Sequence, residues 1–379
     1  MVADEHRRYL EDVEGRCLHC RSCRCFHATS VVGSLCFGEV ATLLLKGELD
    51  GLSDSLFGCN QCGLCLKRCP RAFDAKEFMF HARAVLEEAD GAKCRIYDGV
   101  RPDNPNNAFV TVRKEQGVVY DDALAAGATC PHLFVPGCHM ASTFPELTKQ
   151  AAAYLIRHDI ADGMTACCCG NPLYAAGFYR EYREYLERID GRYRACGVRE
   201  ILTPCPSCYD FNLRAQQEGY LAGVKITCLS DALVERGIKV NRDDFPKEYV
   251  VSIHDSCPDR KRGVFAESIR ALYADFDIQE LAHVRVNGLC CGCGGLVPPY
   301  SAEIADSGKR LKQRDVEQAG GDCLITTCFN CKKGLTPLMP THQYLEDLLR
   351  SESSATSCAA NARRERNEAA DRRFMGKEM

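Results

Sequence analysis

Two stretches of this chain carry the same five cysteines in the same order. Each has a single cysteine, then an adjacent pair followed by glycine, then a C-x-x-C. The first copy offers Cys138, Cys168, Cys169, Cys205 and Cys208; the second offers Cys257, Cys290, Cys291, Cys328 and Cys331. The offsets are 119 residues from Cys138 to Cys257, 122 from Cys168 to Cys290 and 123 from Cys205 to Cys328. The C-terminal part thus reads as one module written twice. Cys290 and Cys291, inside "GLCCGCGG", cannot easily pair with each other, because a disulfide needs two Cα atoms well apart and suitably angled. Adjacent thiolates can instead bridge or bind neighbouring metal ions. The glycines around them let the backbone come close to a bulky inorganic object and adopt positive φ.

Composition sharpens this reading. The chain has 379 residues, 27 cysteines and no tryptophan. Disulfide-rich chains are usually small and secreted, whereas thiolates in a larger cytosolic protein more often bind metal. Net charge is −4, which gives no pointer to nucleic acid or an anionic membrane. No apolar run approaches the roughly 20 residues of a spanning helix. The N-terminus, "MVADEHRRYLEDVEGR", is charged and lacks the apolar core of a secretory signal. The expected location is the cytoplasm, with no direct membrane insertion and membrane association only through a partner subunit. The isolated Cys94, Cys196, Cys228, Cys323 and Cys358 read as small buried apolar residues.

The chain divides by pattern. Residues 1–95 read as an α-helical domain holding two cysteine motifs. "DAKEFMFHARAVLEEA" is an amphipathic helix capped by Asp74, and "GEVATLLLKGELDGLSDSLFG" is apolar at helical spacing. Residues 96–130, with "DGVRPDNPNN", suit a linker. From residue 131 short apolar runs ending in cysteines alternate with helical segments such as "REYREYLERI" and "AEIADSGKRLKQRDVEQA". That alternation predicts parallel sheets with a site at their carboxyl ends. Boundaries of 131–245 and 246–350 follow for the two copies, and residues 351–379 form a polar tail. The expected class is α+β multidomain, a helical ferredoxin-like domain followed by two tandem α/β modules.

The run "CNQCGLCLKRCP" places Cys59, Cys62, Cys65 and Cys69 as C-x2-C-x2-C-x3-C-P, the pattern that binds [4Fe–4S] clusters. Zinc also takes paired C-x2-C ligands; four cysteines in one run with a trailing proline weigh against it. An earlier run, "CLHCRSCRCFHATS", begins alike with Cys17, Cys20 and Cys23 and then departs. His27 stands where the fourth cysteine belongs, Cys25 arrives early and Cys36 follows later. If the fourth ligands cross over, Cys69 completes the first centre. The second, on Cys59, Cys62 and Cys65, then takes Cys25, His27 or Cys36, or remains a three-iron cluster.

At these residues the sequence resembles the cysteine-rich CCG family. That family comprises the B-type and D-type subunits of heterodisulfide reductase and relatives in glycolate, glycerol-3-phosphate and lactate oxidation. Two ferredoxin-type runs followed by two CCG modules resemble the D-type layout over roughly residues 15–340. In the second copy, 32 residues separate Cys257 from Cys290 and 36 separate Cys291 from Cys328; in the first, 29 separate Cys138 from Cys168. The resemblance implies two [4Fe–4S] clusters in the N-terminal domain. It also implies one non-cubane [4Fe–4S] cluster on each five-cysteine set, the two facing across a pseudo-twofold with a disulfide bound between them.

The expected function is an iron–sulfur oxidoreductase that reduces a disulfide, as the coenzyme M–coenzyme B heterodisulfide is reduced in the family. Two other readings stand beside it. One is an electron-transfer subunit of a flavin-dependent hydroxy-acid oxidoreductase or membrane redox complex. The other is an iron–sulfur accessory protein for another metalloenzyme. The expected partner is a redox protein (a flavoprotein, a ferredoxin or a membrane cytochrome-type subunit), with a small thiol or disulfide as substrate and no nucleic acid. His139 and His254, beside cluster cysteines, are candidate proton donors to a leaving thiolate. Arg260, Lys261 and Arg262 read as a solvated turn or as a contact for an anionic substrate or partner.

Overall fold

The computed structural model describes residues 4–23, 35–102 and 104–350. Cys25, His27, Cys358 and the 351–379 segment lie outside them.

The C-terminal part holds two four-stranded, all-parallel sheets. The first comprises β1 (His132–Phe134), β2 (Gly163–Met164), β3 (Glu200–Thr203) and β4 (Lys225–Cys228), in the order β2-β1-β3-β4. The second comprises β5 (Val250–His254), β6 (Asp277–Ile278), β7 (Cys323–Thr326) and β8 (Thr341–Gln343), in the order β6-β5-β7-β8. The two orders are the same, so the cysteine repeat is a repeat of fold. The central strands are nearly continuous apolar runs, buried along almost their whole length, as strands covered on both faces are.

In each sheet the chain moves outward in one direction after the first strand and in the other after the third. That reversal opens a crevice at the carboxyl ends of β1 and β3, and of β5 and β7, where open α/β sheets bind ligands. Helices begin at Cys138 just beyond β1, at Pro206 just beyond β3 and at Phe329 just beyond β7. A short 3-10 turn, Cys257–Asp259, follows β5.

The two modules share one apolar core, in which Met140, Leu155 and Leu233 of the first pack with Ile253, Tyr273 and Tyr344 of the second. Their packing is also reciprocal. Helix Cys138–Thr143 of the first lies against helix Phe329–Leu335 of the second, while helix Pro206–Gln217 of the first lies against the Cys257–Asp259 turn of the second. Phe144 and Phe329 face at 5.3 Å between ring centroids, and Tyr209 and Phe265 at 5.6 Å.

N-terminal helices Asp4–Arg16, Phe37–Lys46 and Ala75–Ala89 pack together and continue into the core of the first module through Leu10, Phe78, Tyr174 and Phe211. Asp74 caps the Ala75–Ala89 helix, accepting from the Lys76 amide at 2.9 Å. The long "GEVATLLLKGELDGLSDSLFG" pattern is two helices, Phe37–Lys46 and Ser53–Phe57, since Gly47 ends the first in the left-handed region at φ 74°. Residues 96–130 include helices Ala108–Glu115 and Ala123–Ala126, the former capped by the Asn107 side chain. Among the described residues no helix is long and apolar enough to cross a membrane.

Candidate metal centres

Each module gathers its five cysteines into one chain of thiol contacts. In the first, Cys138 reaches Cys168, Cys168 reaches Cys169, Cys169 reaches Cys208 and Cys208 reaches Cys205. In the second, the order is Cys257, Cys290, Cys291, Cys331 and Cys328, with the Cys291 and Cys331 Sγ atoms 3.0 Å apart. Matched residues therefore occupy matched places along both chains of contacts.

The same local devices build both sets. The glycine after each pair has positive φ, 101° at Gly170 and 78° at Gly292. It turns its N–H back to the first cysteine of the pair, at 3.4 Å from the Cys168 Sγ and 3.4 Å from the Cys290 Sγ. An N–H aimed at sulfur favours the thiolate and tunes a cluster bound to it. At the strand ends, Thr203 and Thr326 each accept the backbone N–H of the first cysteine of the C-x-x-C, at 3.2 Å from Cys205 and Cys328. Reading the cysteines alone passes over these threonines. The signal that finds them is a threonine two places before each C-x-x-C.

The donor set fits an iron–sulfur cluster. Hydrogen bonds from the thiols of Cys138 and Cys169 hold the Cys168 pKa well below the usual thiol range, and that of Cys208 lowers Cys205. The same contacts and burial push the pKa of Cys138, Cys169 and Cys208 well above that range, so two of the five favour thiolate, the ligating form, and the other three hold the protons. Gly137 leaves the first set room, since a Cβ there would lie 3.3 Å from the Cys208 Sγ. In the second set His254 is buried. Its ring nitrogens find no hydrogen-bond partner among the described residues, and its ring lies within 4.8 Å of the Cys291 and Cys331 sulfurs. Burial pushes its pKa well below the ordinary histidine value. His139 stands beside the first set, edge-on to Phe109 at 5.0 Å; burial, then Lys333, brings its pKa down to about 4.

The two N-terminal runs share a backbone conformation. His19 and Gln61, each two residues after the first cysteine, have φ of 49° and 51°, and each donates its N–H to that cysteine's Sγ at 3.4 Å. Cys17, Cys20, Cys23, Cys36 and Cys69 line a single cavity. Cys69 thus sits with the first run, and so does Cys36, whose Sγ is 3.8 Å from that of Cys17. Cys59 and Cys62 reach the second module instead, at Gly295 and Arg260, while Cys65 packs on the core that the N-terminal helices share with the first module. Asn60 donates to the carbonyls of Gly292 at 2.9 Å and Gly294 at 3.2 Å. The basic trio works here too. Arg260 donates to the Cys62 carbonyl at 3.0 Å and to that of Gly288 at 2.7 Å; Lys261 pairs with Asp74 and Arg262 with Asp210. Of the isolated cysteines, Cys94, Cys196, Cys228 and Cys323 are buried.

Comparison with known proteins bears on the two modules. The family model for the CCG cysteine-rich domain matches residues 132–211 and 251–336. The chain is 26% identical over 296 residues to the B-type subunit of fumarate reductase (CoM/CoB) from Methanothermobacter marburgensis, covering 74% of this chain and 57% of that one. It is 22% identical over 315 residues to an uncharacterized iron–sulfur protein of Methanococcus maripaludis, covering 79% and 62%. It is also 22% identical over 314 residues to the D-type subunit of dihydromethanophenazine:CoB–CoM heterodisulfide reductase from Methanosarcina acetivorans, covering 78% and 75%. The chain spans about three-fifths of the length of the first two. Residues 132–211 and 251–336 are cysteine-rich CCG domains, and the chain that carries them is similar to iron–sulfur subunits of heterodisulfide reductase and of CoM/CoB fumarate reductase.

Proposed function

We propose that this chain is the iron–sulfur subunit of a thiol–disulfide oxidoreductase, with each five-cysteine set holding one non-cubane cluster and the N-terminal runs holding two [4Fe–4S] clusters. The observation that carries this reading is the reciprocal packing. The turn or helix bearing the first cysteine of each module packs on the helix bearing the C-x-x-C of the other. This supports two cluster sites facing each other across an approximate twofold, with one substrate bound between them.

Bound clusters would supply single electrons, two of which convert a disulfide and two protons into two thiols. The chain's own residues hold the thiolates in register, through the Gly170 and Gly292 N–H groups and the Thr203 and Thr326 hydroxyls. His139 and His254 are the proton carriers beside the two sets. Electrons are exchanged with a redox partner, a flavoprotein, a ferredoxin or a membrane cytochrome-type subunit, and the protein works in the cytoplasm.

A second reading draws on one relative, the fumarate reductase (CoM/CoB). The same thiol–disulfide step would then run toward disulfide, and this chain would pass the two electrons to a partner that reduces an acceptor.

The test is anaerobic iron and acid-labile sulfide analysis with EPR before and after addition of a disulfide or its thiols. About sixteen irons per chain, four clusters of four, with a new thiol-dependent paramagnetic signal, support the proposal. About eight irons and no such signal remove it, because the CCG sets would then be unfilled.

A further inference from the structure

The stretch Gly288–Gly295 interlocks with the second N-terminal run far more closely than two adjoining domains require. A Cβ on Gly295 would overlap the Cys59 carbonyl, and one on Gly294 would come 2.9 Å from that of Asn60. Asn60 spans the carbonyls of Gly292 and Gly294, and Arg260 clamps Cys62 to Gly288 from the other side. Glycines at 294 and 295 are therefore needed for backbone to meet backbone. The result is that the Cys62 thiol lies within hydrogen-bonding reach of the Cys290 thiol, with Cys257 close by. The matched cysteine of the first module, Cys168, makes its thiol contacts with Cys138 and Cys169 of its own module.

Cys59, Cys62 and Cys65 supply three thiolates, and a four-iron centre takes four ligands. Cys36 and Cys69 lie with the first run. We propose that Cys290 is a shared ligand. Once deprotonated, its sulfur completes the centre on Cys59, Cys62 and Cys65 and at the same time belongs to the second CCG set, joining the two into one double centre. This rests on the reading that both sets hold iron–sulfur clusters. Its consequence is an asymmetry between the two modules. With clusters bound, Cys290 would link the second module's set directly to the N-terminal run, a link for which Cys168 offers no counterpart in the first module.

The test compares full-length chains purified anaerobically: Cys290→Ser, the matched Cys168→Ser, Asn60→Ala, and Cys25→Ser combined with His27→Ala. Readouts are iron per chain, EPR and Mössbauer spectra, with circular dichroism to establish folding. The shared-ligand proposal expects Cys290→Ser to disturb two centres, with a loss of about eight irons, and Cys168→Ser to disturb one, with a loss of about four. It expects Asn60→Ala to keep its iron but lose the spin coupling between the two centres. The Cys25 and His27 pair of changes should leave the second N-terminal centre intact. Loss of only one centre's iron and signal in Cys290→Ser overturns the proposal. So does loss of the second N-terminal centre when Cys25 and His27 are replaced. A wild-type chain with about eight irons defeats the underlying reading itself, a separate outcome visible before any variant is made.

Discussion

Arg83 donates from its Nη1 to the carbonyl oxygen of Ala175 at 2.6 Å, so a fully buried guanidinium of the N-terminal helices holds a helix end of the first CCG domain. The same Nη1 also reaches the Gly295 carbonyl of the second, at 3.1 Å, and Nε and Nη2 converge on the Leu56 carbonyl. Phe57 and Tyr97 stand beneath the guanidinium. One side chain thus pins three parts of the molecule.

Arg83→Met should destabilise the protein by about 3–5 kcal/mol. It takes the guanidinium from the Leu56 and Gly295 carbonyls, at roughly 1–3 kcal/mol each before relaxation, while the Ala175 carbonyl keeps the Gln61 amide at 3.0 Å. A lowered thermal midpoint, with earlier release of iron on heating, is the expected result. An unchanged midpoint would show that water replaces the guanidinium.

Gly137→Ala should empty the first CCG set and spare the second. Gly137 has φ 85° and ψ 156°, a region essentially reserved for glycine that costs another residue about 1–3 kcal/mol. The new methyl would also press on Cys205 and Cys208, each with an atom 3.3 Å from it. Iron analysis should show one centre fewer, with the signal of the second CCG set retained.

The protein should lose stability in acid through His81. Burial, and then His6, depress its pKa to about 3, and its Nδ1 sits 2.7 Å from that of His6, where one nitrogen must accept. The folded state keeps this ring neutral while the unfolded chain protonates it near pH 6.5. The contribution is full above about pH 6.5 and is lost as pH falls toward about 3. His81→Phe, which keeps the stacking on Tyr9, should flatten that part of the melting-temperature profile. A variant with the wild-type slope would assign the acid sensitivity elsewhere.

His342 acts in the opposite sense. Its hydrogen bond with Asp347, 2.8 Å long, and then its contact with Cys323, raise its pKa to about 10. Its stabilisation is complete below about pH 6.5 and disappears as pH rises through about 10. The melting temperatures of His342→Gln and wild type should differ by the equivalent of about 1.5–3 kcal/mol at pH 6. They should converge by about pH 10.5.

Much of this architecture can be read from local signals. The runs that form β1, β3, β5 and β7 end near the cysteines of the module, and Asp74 and the 302–319 pattern mark their helices plainly. The edge strands β2, β4, β6 and β8 escape because their short runs lead into no cysteine of the five-cysteine sets, the signal that marks the equally short β1, β3 and β7. The meeting of Cys62 with the second CCG domain is invisible for a different reason. It depends on contacts such as Asn60 with Gly292, 232 positions away along the chain. The basic trio shows the same limit. Its charges fit a solvated turn, but Arg260 spends its donors on backbone carbonyls that only the folded chain brings near.

The reciprocal packing of the two CCG domains has the form of an isologous interface, in which a first element meets a second and the second meets the first again. An unduplicated module with this face would be self-complementary and would pair with its own copy. Fusing both copies in one chain fixes that pairing at a constant effective concentration. It also frees the two halves to diverge: the "CCGCGG" stretch of one brings its Cys290 thiol to the N-terminal run, and in the "CCCGNP" stretch of the other the Cys168 thiol keeps to Cys138 and Cys169.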